Sequence, residues 1–112
     1  MMKKYQVRIT KYAQQQMKDI AKYIKIELKN PDAAKKLMYD LKQAILSLSN
    51  LPQRISLVEE KPWYDAGIRK ISIKIFLIYF WIDEEKNYVH ITAVVYSKRE
   101  QKRQLTQMKM EK

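Results

Sequence analysis

Four cations within six residues, Lys98, Arg99, Lys102 and Arg103, follow closely on an apolar, aromatic-rich stretch that runs to Tyr96. At the edge of a small sheet, such a cluster offers fixed positive charge where a phosphate backbone could lie. Upstream, His90 is the single histidine. Its ordinary pKa suits proton transfer near neutral pH, although a histidine alone in a strand is more often a hydrogen-bonded residue than a catalyst. Cysteine is absent, so neither a disulfide nor a thiolate metal site is expected, and with one histidine no metal or organic cofactor is implied.

The charge balance extends this theme. Lys and Arg number 23 against 12 Asp and Glu, a formal net charge of +11. Self-repulsion on that scale in a small chain points to a polyanionic or acidic partner: nucleic acid, the ribosome or an acidic protein. A lysine row at positions 11, 18, 22, 25 and 29 is offset by one from an apolar stripe, and it reads either as an RNA-contacting face or as a solvated one. The cations are spread over several segments, which argues against a membrane surface. At 112 residues, 46% of them hydrophobic, the chain suits one domain spanning 1–112 with a single core. The start MMKKYQVRIT has no apolar run behind its lysines, and the run 75–82 is far short of the ~20 residues of a bilayer span. A cytoplasmic protein is expected.

The elements that must position these residues follow from periodicity. Tyr5, Val7 and Ile9 alternate with polar residues as a half-buried strand. Thr10 is a candidate N-cap for a helix to about Lys29, with Ala13, Met17, Ile20, Ile24 and Leu28 on one face. Asn30 and Pro31 start a second helix that stops before Pro52, with the stripe Ala34, Leu37, Leu41, Ile45 and Leu48. Residues 53–66 read as a loop anchored by Trp63 and Tyr64. Three strands follow at about 68–74, 76–82 and 88–96, the last two joined by a turn at 83–87. A short terminal helix is expected beyond Lys98. The predicted order is β-α-α-β-β-β-α, an α+β fold with a helical hairpin packed on one face of a mainly antiparallel four-stranded sheet.

Strand parity then assigns faces. Val89, Ile91, Ala93 and Val95 should meet the helices, leaving Tyr88, His90, Thr92, Val94 and Tyr96 on the open face. Ile71 and Ile73 look inward, turning Lys70, Ser72 and Lys74 outward. In the middle strand Phe76, Ile78 and Phe80 oppose Leu77, Tyr79 and Trp81. Phe76, Ile78 and Phe80 are expected as an apolar patch on the open face, covered by the C-terminal segment or by a partner.

Leu48 to Pro52, Gly67-Ile68-Arg69, Tyr79 followed by Ile82-Asp83-Glu84, and Tyr96-Ser97-Lys98-Arg99-Glu100 together resemble the RelE/ParE superfamily over nearly the whole chain. The resemblance implies a toxin of a type II toxin–antitoxin pair, neutralised by a cognate antitoxin and meeting operator DNA only through that complex. RelE-like members cleave mRNA in the ribosomal A site without metal, which needs a base, an acid and cations against the phosphate. On that pattern Arg69 and Arg99 would stabilise the phosphate, and Lys70 would act as base or electrostatic helper. His90 could move protons without matching a family histidine. Lys98, Lys102, Arg103 and Lys74 would hold RNA, and Phe76, Ile78 and Phe80 would receive the antitoxin. Two positions depart from the pattern: Phe76 stands where RelE-like enzymes carry arginine, and Leu105 where some carry tyrosine. The favoured expectation is ribosome-dependent mRNA cleavage. The alternatives are ParE-like inhibition of DNA gyrase without nuclease chemistry, and a non-toxic antitoxin-binding relative.

Overall fold

In the computed structural model of the protein, residues 4–96 are described. Thr10 is extended, and its Oγ1 accepts a hydrogen bond from the Ala13 amide at 3.1 Å, opening helix α1 (Lys11–Leu28). Lys29 ends that helix in the left-handed region, at φ 49°. Asn30 then caps α2 (Pro31–Ser47) by accepting from the Ala33 amide at 3.2 Å, with Pro31 in the first turn where no intrahelical donor is needed. This tight reversal makes the two helices a hairpin.

Around it lie strands β1 (Gln6–Ile9), β2 (Arg69–Ile73), β3 (Phe76–Asp83) and β4 (Tyr88–Val95), with a 3-10 turn at Pro52–Arg54. They form one sheet in the order β1-β4-β3-β2, in which β1 is parallel to β4 and the other pairs are antiparallel. Residues 76–80 of β3 and 91–95 of β4 are buried on both faces, so β3 carries a continuous apolar run instead of an alternating one, while the strands are only half-buried at Trp81, Tyr88 and His90.

The helices cover one face. Ala13, Ile20, Ile24, Leu41, Ile45 and Leu48 pack on Phe76, Ile78, Phe80, Val89, Ile91 and Val94. This corrects the assignment of Phe76, Ile78 and Phe80 to an open patch. All three are 0% exposed, so they form core and offer no surface to an antitoxin. Their orientation follows from the neighbouring strand: Ile71 pairs with Ile78 and Ile73 with Phe76, and paired residues share a face. Once the β2 isoleucines face the helices, Phe76 and Ile78 must too.

A bulge corrects the parity of β4. Tyr79 opposes Ala93 while Phe80 opposes Ile91, leaving Thr92 as an extra residue. Its Oγ1 donates to the Tyr79 carbonyl at 3.2 Å, and the Val94 amide donates to Gln16 Oε1 of α1 at 2.8 Å. Beyond the bulge Val94 faces the helices, while Ala93 and Val95 turn to the other side and pack with Val58, Ile68, Leu77 and Tyr79.

That second apolar cluster is joined by Trp63 and Ala66 of the β2-preceding segment and by Trp81 of β3; the C-terminal segment expected over Phe76, Ile78 and Phe80 lies outside the described residues. The β2-preceding segment folds back on itself. The Val58 amide donates to the Ile68 carbonyl at 2.9 Å, the Ile68 amide donates to the Trp63 carbonyl at 3.0 Å, and Gly67 takes φ 80° at the reversal. The expected terminal helix lies outside the described residues. Among the described residues no helix is long and apolar enough to cross a membrane.

Candidate functional site

Arg69 opens β2 beside Phe80, its register partner on the helix-covered face. Its Nη1 donates to the carbonyl oxygens of Ile55 at 2.5 Å and Gln53 at 3.3 Å. The guanidinium therefore pins the chain after the 3-10 turn to the sheet. Lys70 is next in sequence but points to the opposite face, as strand alternation dictates, and is paired with Tyr79. Burial, and then the nearby Glu60 carboxylate, push the Tyr79 phenol up to about 12. Tyr79 thus keeps its proton throughout the physiological range.

Lys74 sits in the turn before β3 at φ 52°. Its ammonium is hydrogen-bonded to the Asp40 carboxylate of α2. That bond is the chief cause holding the Asp40 carboxyl below its ordinary range, with the charges of Lys74 and Lys36 adding to it against burial. The lysine assigned to RNA is thus engaged within the fold.

His90 does lie on the face away from the helices, as parity predicted. It stacks on Trp81 with ring centroids 4.5 Å apart and planes 20° from parallel, and it meets Tyr88 edge-on at 5.7 Å. Its Nε2 is 3.9 Å from Asp83 Oδ2. Burial lowers its pKa, the charges of Arg8 and Lys86 act in the same direction, and Asp83 opposes them. This environment favours the neutral ring over the imidazolium. Lys70 on β2 and His90 on β4 are separated by β3, and Arg69 projects from the other face. Among the described residues these three form no cluster. Lys98, Arg99, Lys102, Arg103 and Leu105 lie outside the described residues.

A different feature was missed by sequence reading. Between α1 and α2 runs an open groove of about 840 Å³, floored by apolar groups of Met17, Ala21, Ala34 and Met38 and flanked by Tyr39 and by Lys18, Lys25, Lys35 and Lys42. The lysines come in pairs seven residues apart, 18 with 25 and 35 with 42, so each pair stands two turns apart on one helix face. The lysine row of α1 was visible in the sequence. Its counterpart on α2 could have been found from the same seven-residue spacing beside the apolar stripe. An apolar floor flanked by ammonium groups suits an amphipathic segment carrying carboxylates.

A family model described as the ParE toxin of the type II toxin–antitoxin system parDE matches residues 7–101. The chain belongs to the ParE toxin family. Its fold agrees with two solved structures. One is a chain of the chromosomal ParDE toxin–antitoxin system from P. aeruginosa, with 15% identity, 84% of this chain and 97% of that chain covered, and a TM-score of 0.69. The other comes from the toxin–antitoxin complex RelBE2 of Mycobacterium tuberculosis, with 20% identity, 86% and 94% covered, and a TM-score of 0.60. At these identities the likeness establishes the α+β fold, with two helices against a four-stranded mixed sheet. No curated protein matches. The RelE/ParE resemblance in the sequence is thereby confirmed, and this ParE-family protein is a toxin of the type II class.

Proposed function

We propose that this ParE-family toxin disables its target by binding it, as an inhibitor of DNA gyrase, and that a cognate antitoxin silences it by laying an acidic amphipathic helix in the α1/α2 groove. The observation that carries the first part is the dispersal of Arg69, Lys70 and His90. Metal-independent RNA cleavage needs a base, an acid and a cation converging on one phosphate. Here Arg69 is engaged with two backbone carbonyls, Lys70 projects from the other face, and His90 is stacked against Trp81 across the sheet. Phe76, where RelE-like enzymes carry arginine, is sealed in the core. The groove supports the second part, since its four lysines complement carboxylates and its floor takes an apolar helix face. This reading places the protein in the cytoplasm, with operator DNA met only through the antitoxin complex.

Ribosome-dependent mRNA cleavage is the second reading, favoured by the net charge of +11 and by Arg99 within the run of cations at 98–103. Primer extension on a defined mRNA in a translating extract separates the two, with purified toxin run beside the Arg99→Ala variant. The binding reading predicts intact mRNA from a folded, toxic protein. New 5′ ends within the reading frame that vanish in the variant would overturn it in favour of cleavage.

A further inference from the structure

The sheet face opposite the helices carries a polar and aromatic row that begins where the second apolar cluster ends, with Trp81 packed against that cluster on one side. Arg8 on β1, His90 on β4 and Trp81 on β3 are lateral partners in register. Tyr88 stands on the same face, two residues before His90. The groups are already organised as a ladder. Trp81 and His90 stack at 4.5 Å, Tyr88 closes edge-on against His90, and the Arg8 guanidinium lies 4.0 Å from the Tyr88 ring centroid while Nη2 donates to the Tyr88 hydroxyl at 3.0 Å. None of the three rings is fully buried, and Arg8 is exposed.

We infer that Arg8, Tyr88, His90 and Trp81 form a stacking platform for the bases of single-stranded nucleic acid. The chemistry is specific to that class. Flat π-faces on the open side of a sheet take unstacked bases whatever their sequence, and a planar cation at the rim can both meet phosphate and stack. A duplex keeps its bases inside and has none to offer. Charge complementarity agrees, because Arg8 and Lys86 both act on His90 electrostatically and the chain as a whole is strongly cationic. The imidazole stacks on Trp81, while Asp83 at 3.9 Å keeps the patch from being uniformly positive. The platform lies on the face away from the α1/α2 hairpin, so a helix in the groove leaves it open. Its role stands apart from both readings of the toxin, since stacking needs neither cleavage nor gyrase.

The test uses the full-length protein in a Trp63→Phe background, so that Trp81 is the only tryptophan, titrated with an unstructured ten-nucleotide RNA, the same sequence as DNA, and its duplex. Saturable quenching of Trp81 by the single strands is expected, with roughly tenfold weaker affinity for Tyr88→Leu and for Arg8→Ala by anisotropy of a labelled strand. Both substitutions are at the surface side of the row, and thermal melts confirm that the variants are folded. Equal affinity for RNA and DNA would mark recognition through the bases alone. Preference for RNA would add a contact to the 2′-hydroxyl, and either result supports the platform. Absence of binding, an unquenched Trp81, a duplex bound as tightly as the single strands, or folded variants that bind like the parent would overturn it.

Discussion

Arg69 and His90 are both chemically capable residues that the fold has put to other work. The Arg69 Nη1 holds the carbonyls of Gln53 and Ile55, and hydrogen bonds from a charged donor are among the stronger ones. Arg69→Ala should therefore cost about 1–3 kcal/mol in urea unfolding. Arg69→Lys should recover only part of it, because an ammonium can also donate to two carbonyls but sits on a more flexible and more strongly hydrated stem. An unchanged midpoint in Arg69→Ala would show that the clamp is incidental. For His90 the folded pKa lies below the ordinary 6.5, with burial as the first cause. Between the two values the unfolded chain binds more protons than the folded one, so stability rises with pH there. The contribution is fully present above 6.5 and is lost as pH falls from 6.5 through the folded value. Melting temperatures from pH 7.5 to 5 should fall more steeply for the parent than for His90→Phe, which keeps the stack and removes the titration. Parallel curves would contradict this. The sequence identified His90 as open-faced but held no sign of its stack or of its lowered pKa, which depend on burial against Trp81 one strand away and on charges from β1 and the β3–β4 turn.

At the scale of elements, the Thr10 and Asn30 caps and the 3.6-residue stripes made both helices legible, because these signals are local in the chain. The bulge in β4 was not. Nothing in Ile91-Thr92-Ala93-Val94-Val95 marks it, since every residue there suits a strand. It is fixed by Gln16, 78 residues away, which takes up the Val94 amide. Gln16→Ala should leave that amide without its acceptor and destabilise the protein by about 1–3 kcal/mol. Hydrogen exchange at Val94 should rise by more than at Ile91. Equal protection at both positions would mean that the bulge does not depend on the helix. The faces of β3 were misjudged for a related reason. A strand apolar on both sides carries no parity signal of its own, and only its pairing with Ile71 and Ile73 orients it.

Over the whole molecule, two surfaces separate cleanly: a lysine-flanked groove on the helical hairpin and an aromatic row on the far side of the sheet. If the groove seats the antitoxin, Lys25→Glu combined with Lys35→Glu should weaken the complex tenfold or more, at least in order of magnitude, while leaving the melting temperature nearly unchanged. Calorimetric titration of toxin with antitoxin reads this directly, and undiminished affinity would move the antitoxin elsewhere. The most direct test of the central claim is the supercoiling of relaxed plasmid by purified gyrase and ATP in the presence of folded toxin. Loss of supercoiling at near-stoichiometric toxin, restored by adding antitoxin, is the predicted result. Supercoiling at full rate in a large excess of folded toxin would contradict the account.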